Sequence, residues 1–566
     1  MLCLVMAVFV LTSGVFHFFD LAADPPRGLS WSAGAYFDGL SNSHTARSYV
    51  LFGRFRPDEW DPYLYSPTHV LLQIGWFRLF APGVRSTNGF GALLSFAAVL
   101  AGISLFRHAR VSTLLLAALF FSLSCDLVQF GRLGLFENLM ILLMFASLTC
   151  LAGGAPGRLR SAGAGAFCML AYATKAISVY FLPAVAAAAL VCAYGVYARS
   201  GRVKAALGIL LWVGLGWLVV FVPWLFLFKL PNAAAITKIG LLWKATAWPD
   251  SFGVALRRAA TTPVFFFLGR HDLLWLFVPV ISAVVFYGIV TRPASMDPVA
   301  VGLAVWFWCG LGLTSVLKHN PPRYFFPLLP AALGLSAYGL GQVVRTESIG
   351  WRARRAWLAD LLGIVALTIF LRFYFVYHVT VDPLLPPSLP RVWSKLLVCF
   401  VLACVLWVAG RIGLRLWGRR IRLPRQLRLG AVCMLCVHFA WGNVRPLLHS
   451  LRHPHYTIVE FSRTLRDYPA MVIGGTSALA AVAETEHVAV RMGQRWYNDK
   501  DPFERFGLTH LFLTDYAGEL AHFFDAYPAQ MRCAEELQKV RVCGYPFHLY
   551  ALPGAKPAQG LSQSRP

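Results

Sequence analysis

Acidic side chains are scarce in this chain, so their placement carries information. There are 26 Asp and Glu among 566 residues. Asp24, Asp38, Asp58, Glu59 and Asp61 fall together in one polar segment, residues 21–85. That stretch is too long for a simple connection. Trp31, Tyr36, Trp60, Tyr63 and Tyr65 share it. Carboxylates accept hydrogen bonds from hydroxyls and can remove their protons, while aromatic faces cover C–H surfaces. The combination suits a sugar held at a membrane surface. A solvated loop anchored by interfacial Trp and Tyr has the same composition, and composition alone does not separate the two.

Two further sets of charges stand out. Glu137 follows a turn that begins Phe130-Gly131-Arg132 and opens an otherwise apolar helix. An acid is at home at a helix N-terminus; the alternative is that Glu137 faces Asp38 across a cavity. Lys175 interrupts an apolar run, which is costly unless the ammonium is paired or near an interface. Lys229, Lys238, Arg258, Arg270, His271, Lys318 and Arg323 lie in segments that the topology below places outside. Cations there call for an anion, and a lipid phosphate at the outer leaflet would supply one. Plainer readings are an interfacial anchor for Arg323, a snorkelling Lys175 and loop solvation for Arg270 and His271.

The elements that must position these groups are apolar. Hydrophobic residues make up 58% of the chain and charged residues 14%, against roughly 25% charged in a soluble domain. The mean hydropathy is +0.60. A soluble globular enzyme and a disordered chain are excluded, and a polytopic α-helical membrane protein is expected. The first apolar run, from Met1 to Phe19, has no basic lead and no small-residue cleavage site, so it reads as a retained span. Further runs centre near residues 97, 120, 144, 170, 188, 217, 282, 308, 335, 367, 402 and 438. At roughly 20 residues per span, this predicts about 13 helices. The net charge of +25 has a topological cause. Basic residues collect in alternate loops, including seven Arg between Arg411 and Arg428, and the positive-inside rule makes those loops cytoplasmic. The N-terminus is then cytoplasmic, and segments 21–85, 229–272 and 449–566 lie outside. Nucleic acid is not implied, because no basic stretch is interleaved with exposed aromatics.

Residues 449–553 differ in kind. Strand-like runs near 470–475, 487–492, 509–513 and 547–552 alternate with helical ones near 477–484 and 518–531, which predicts a small extracytoplasmic α/β domain. Ile473-Gly474-Gly475 ahead of a helix has the flavour of a phosphate loop but is not a full GxGxxG. Ten of the 12 Cys lie in apolar runs, where they act as small hydrophobes. The Cys433/Cys436 pair is among them. Cys533 and Cys543 lie in the polar domain, where a disulfide is open. Residues 554–566 have the composition of a disordered tail.

Several short motifs then fall into a familiar order. Asp38, Arg47, Tyr65-Ser66-Pro67 and Phe77-Arg78-Leu79-Phe80 are followed by Arg132 and Glu137, then Ala173-Thr174-Lys175-Ala176, then Arg323-Tyr324 before a Pro-rich span ending at Pro330. Over roughly residues 1–345 the chain resembles the GT-C superfamily of polyprenyl-phosphate-sugar glycosyltransferases, in particular the protein O-mannosyltransferase and lipid A aminoarabinose transferase group. It departs from the pattern at Gly39, where the family usually has Asp-Glu, at Ser66, where a Lys often stands, and at Glu137, which is usually Asp. The C-terminal domain matches no pattern. Asp58-Glu59 is a literal Asp-Glu, but only Asp38 has Arg47 at the matching distance.

The resemblance implies an inverting transfer from a polyprenyl-phosphate sugar donor to a lipid, glycan or protein acceptor at the outer face of a bacterial inner membrane. Asp38 would be the general base. Glu137 would hold sugar hydroxyls or orient the acceptor. Lys175, Arg270 and Arg323 would neutralise the leaving phosphate, with His271 and Tyr324 as hydrogen-bond donors and Arg47 and Tyr65 on the substrate. No cofactor is required, and a divalent cation is left open, since no His/Cys cluster has ligand spacing. The rival expectation is a lipid-linked-sugar flippase or transporter. Such proteins place ionisable residues near the bilayer midplane and show two related halves. Here the charges sit at span ends, Asp126 and Arg372 included, and no halves are evident.

Overall fold

The structure is a computed structural model. It describes residues 2–26, 34–55, 60–259, 274–318, 322–345, 397–408, 425–492 and 500–552, and the single positions 29, 364, 368 and 498. The first membrane helix, α1, runs Leu2–Phe18. The polar segment then folds into short helices: α2 (Gly34–Asn42), α3 (His44–Phe52), α4 (Pro62–Tyr65) and α5 (Pro67–Phe80). Their boundaries follow local chemistry. Asp61 caps α4 by accepting the Tyr63 N–H at 2.9 Å, with Pro62 at the first position, where its missing N–H costs nothing. The same Asp61 oxygen accepts the Thr45 hydroxyl at 2.7 Å. This carboxylate is therefore occupied in holding α3 to α4.

Apolar helices follow: α6 (Val84–Ser104), α7 (Val111–Leu123), α8 (Cys125–Gly131), α9 (Phe136–Leu151), α10 (Arg158–Thr174), α11 (Leu182–Ser200) and α12 (Val203–Trp224). Later helices include Leu274–Thr291, Pro298–Val316, Leu329–Arg345 and Arg425–Arg452. A helix lies at each expected centre except that near 367, which falls outside the described residues. The count of 13 spans is not reproduced. Six described helices are long and apolar enough to cross a membrane, or seven if the pair α7–α8, bent by 49°, is one span. Leu2–Phe18 and Phe136–Leu151 are apolar but short for a crossing, at 17 and 16 residues. Arg132 ties down the end of α1: its Nη2 donates to the Phe19 carbonyl at 2.8 Å and the Asp20 carbonyl at 2.5 Å.

The turn between α8 and α9 presses on α2. A Cβ at Gly39 would lie 2.8 Å from the Gly134 nitrogen, a clash with backbone that cannot move aside. The glycine beside Asp38 is thus a consequence of close packing.

The C-terminal domain is α/β as expected. Strands β1 (Val472–Gly475), β2 (Val488–Arg491), β3 (His510–Thr514), β4 (Glu535–Val542) and β5 (Tyr545–Ala551) form one sheet in the order β2-β1-β3-β5-β4. β1 is parallel to β2 and β3, and β5 is antiparallel to β3 and β4. β4 was not foreseen. It is an edge strand, exposed along most of its length, and its charged sequence is typical of an edge protected from aggregation. The helical run 518–531 is split into Glu519–Ala526 and Pro528–Arg532, with Pro528 starting the second piece. The Gly474-Gly475 turn does not present an open anion site. The buried Glu519 carboxylate sits there, accepting the N–H groups of Thr476 at 2.8 Å and Thr514 at 3.1 Å. Burial raises its pKa. Cys533 and Cys543 are both free.

This domain does not stand apart from the membrane helices. One face of its sheet, with Ile473, Ala489, Phe512, Phe547 and Leu549, shares a core with Phe37, Leu40, Trp60 and Val84. Phe37 and Phe547 meet edge to face, their centroids 5.6 Å apart. Burying side chains of this size contributes roughly 1.5–3 kcal/mol each. Phe37 and Leu40 flank Asp38 on α2, so the helix carrying the candidate base is packed into the core of the C-terminal domain. Asp24 reinforces the junction by accepting from the Thr457 N–H (2.8 Å) and hydroxyl (2.6 Å) and the Ile458 N–H (3.1 Å), which caps the helix Thr457–Thr464.

Candidate active site

Asp38 is buried, at 5% exposure. One carboxylate oxygen, Oδ2, is paired with Arg323 Nη1. Arg323 reaches it from the 3-10 turn Pro322–Tyr324, which precedes the membrane helix Leu329–Arg345. Burial opposes the Arg323 charge, but Asp38, Tyr324 and Glu137 outweigh it, and the pKa lies above the ordinary arginine value. The other oxygen, Oδ1, lies 3.6 Å from Arg491 Nη2.

Glu137, at 1% exposure, opens α9. Its Oε1 takes the Lys175 ammonium at 2.5 Å. Lys175 ends α10, where the chain turns into the 3-10 stretch Ala176–Phe181. The break in the apolar run therefore delivers a cation to a buried carboxylate, and the snorkelling alternative is not what is observed. The Tyr324 ring joins the two pairs. Lys175 Nζ lies 5.0 Å and Arg323 Cζ 5.4 Å from its centroid, within the range of a cation–π contact. The result is one continuous constellation, Asp38–Arg323–Tyr324–Lys175–Glu137, assembled from α2, α9, the end of α10 and the turn before Leu329–Arg345.

Other expected residues stand elsewhere. Arg47 is drawn into docking: its Nη2 donates to the carbonyls of Val482 (3.0 Å), Thr485 (2.5 Å) and His487 (3.1 Å). Three carbonyls of the C-terminal domain take this nitrogen, so Arg47 joins α3 to that domain. Tyr65 lies behind Trp60, ring centroids 5.0 Å apart, and Trp60 in turn underlies Arg491 at 4.0 Å. Arg270, His271, Asp58 and Glu59 lie outside the described residues. Among the other cations expected outside, Lys318 pairs with Asp250, and Arg258 donates to the carbonyls of Leu317 (2.9 Å) and Lys318 (2.8 Å).

Two residues were missed from sequence. Arg491 sits at the end of a four-residue strand, with no motif around it. His69 is fully buried on α5 between Phe90 and Phe136, at 5.1 and 4.9 Å. Among the described residues neither of its ring nitrogens has a hydrogen-bond partner. Burial pushes its pKa down to about 3. A single His on an amphipathic helix gives no signal of its own.

Chemically, the constellation offers two buried carboxylates and two cations within one set of contacts, with Arg491 as a third cation beside Asp38. It can take a proton, hold hydroxyls and stabilise an anion. No protein-family model matches the sequence, and no curated protein matches it. In structure, the chain is similar to ArnT from Cupriavidus metallidurans. The form bound to undecaprenyl phosphate gives a TM-score of 0.54 at 14% identity, over 99% of each chain. The apo form gives 0.51 at 15% identity, over 97% of each. The likeness thus extends past residue 345, through the C-terminal domain that matched no sequence pattern. The chain has the polytopic membrane fold of ArnT.

Proposed function

We propose that this protein is a membrane glycosyltransferase that moves a sugar from a polyprenyl-phosphate carrier to a lipid, glycan or protein acceptor at the extracytoplasmic face. The observation that carries the reading is the buried chain Asp38–Arg323–Tyr324–Lys175–Glu137. It occurs in the fold of ArnT, one structure of which holds undecaprenyl phosphate. Asp38 removes the proton of the acceptor hydroxyl. The oxygen attacks the anomeric carbon as the bond from that carbon to the phosphate oxygen breaks, so the configuration inverts. The departing phosphate gains negative charge, which Arg323 and Lys175 stabilise in a site shielded from water. In the resting protein both cations are already paired. An incoming phosphate competes with Asp38 for Arg323, which leaves the carboxylate available as base. Glu137 keeps Lys175 in place and accepts sugar hydroxyls.

The test uses the purified protein in lipid vesicles with a panel of labelled polyprenyl-phosphate sugars and candidate acceptors. At least one donor is expected to yield a glycosylated product of inverted anomeric configuration. Movement of intact donor between leaflets with no product would instead establish a flippase.

A further inference from the structure

Arg491 belongs to the C-terminal domain, yet its guanidinium ends beside Asp38 of the membrane module. Strand geometry puts it there. Side chains alternate along β2: Val488 and Val490 enter the outer core of the domain, while Ala489 enters the core shared with α2. Arg491 continues the Ala489 side. Its guanidinium carbon sits over Trp60, 4.0 Å from the ring centroid. Trp60 is fixed in turn by donating its ring N–H to the Ser41 carbonyl at 3.1 Å. A long side chain has thus lost most of its freedom. Nη2 lies 3.6 Å from Asp38 Oδ1, and Nη1 is buried and unpartnered among the described residues. A buried guanidinium with an unused donor is a poor stabiliser, so stability alone does not account for it.

We propose that Arg491 is a positioning residue of the transfer site. From the C-terminal domain it steadies one oxygen of Asp38 while Arg323 holds the other, and so fixes the plane of the carboxylate against the acceptor. When the carrier phosphate draws on Arg323, Arg491 is the contact that remains. The C-terminal domain is then a working part of the site. This inference rests on Asp38 being the base.

The test compares the full-length wild type with Arg491→Ala, Arg491→Lys, Arg47→Ala and Asp38→Asn in lipid. Arg491→Ala is expected to lower kcat by about tenfold to a hundredfold, the cost of a misaligned catalytic group. Donor KM should stay within about twofold, because Arg323 and Lys175 still grip the phosphate. Arg491→Lys should recover part of the loss, since it restores the charge without the planar fork. The Tm of Arg491→Ala should stay close to wild type, whereas Arg47→Ala, which cuts docking bonds, should lower it. Unchanged kcat in Arg491→Ala would overturn the proposal. So would a loss that Lys does not relieve, accompanied by a fall in Tm like that of Arg47→Ala. If the wild type transfers no sugar, the transferase reading fails by itself. The Tm values of Asp38→Asn, Arg491→Ala and the double variant then decide: additive changes overturn the proposal, and coupled changes uphold the grip of Arg491 on Asp38.

Discussion

Arg323 and Lys175 each serve a carboxylate in the resting protein, and each is expected to serve the carrier phosphate when it arrives. Arg323→Ala and Lys175→Ala should each weaken binding of undecaprenyl phosphate by roughly tenfold to a hundredfold, since a hydrogen bond to a charged group contributes about 1.5–3 kcal/mol. Thermal shift against carrier concentration measures it. Lys175 was legible because a charge inside an apolar run is expensive and needs a partner, and Arg323 because it is a cation in a segment expected outside and stands before Tyr324 in the motif order. Lys175 and Glu137 prove to be each other's partner. Arg47 was legible as a motif member but not in its use, because the carbonyls that receive it belong to residues 482–487, far away in sequence. Arg491 was invisible for the same reason.

At the scale of elements, the crossing of α2 by the turn between α8 and α9 governs the placement of Asp38. Gly39→Ala should lower Tm and cut transfer, because the added Cβ meets the Gly134 backbone nitrogen. Restoring the usual acid with Gly39→Glu should be worse still. α5 makes a pH prediction. His69 is held neutral with a pKa pushed down to about 3 by burial. In the unfolded chain it titrates near 6.5, so below that pH the unfolded state binds a proton that the folded state refuses. Its contribution is intact above about 6.5 and is lost progressively as pH falls towards 3, with a slope approaching about 1.4 kcal/mol per pH unit. Tm measured between pH 7.5 and 5 should fall less steeply in His69→Leu than in wild type. The apolar helices were readable from hydropathy, but their ability to span was not. A run such as Phe136–Leu151 is apolar yet only 16 residues long, and α7–α8 bends at Ser124. Composition cannot show a bend. β4 escaped because its alternating charges suit an exposed edge and mimic a loop.

At the scale of the whole molecule, the two modules meet through α2. Phe37→Ala should destabilise the protein by about 3–5 kcal/mol, since Phe37 is 2% exposed and packs on Phe547. Faster proteolysis near residues 453–456, where the chain enters the C-terminal domain, would report loosening of that junction. The α/β character of this domain could be read from its alternating runs. Its seat on α2 could not, because no local pattern encodes a core shared between residues 37 and 547.

The most direct measurement is transfer by wild type and by Asp38→Asn from whichever donor the wild type uses, with undecaprenyl phosphate binding followed in parallel. Asp38→Asn should lose transfer by at least about a hundredfold, the scale of general-base catalysis, while carrier binding survives because Arg323 and Lys175 remain. Transfer by Asp38→Asn at the wild-type rate would remove Asp38 as the base and redirect the search to Asp58 and Glu59.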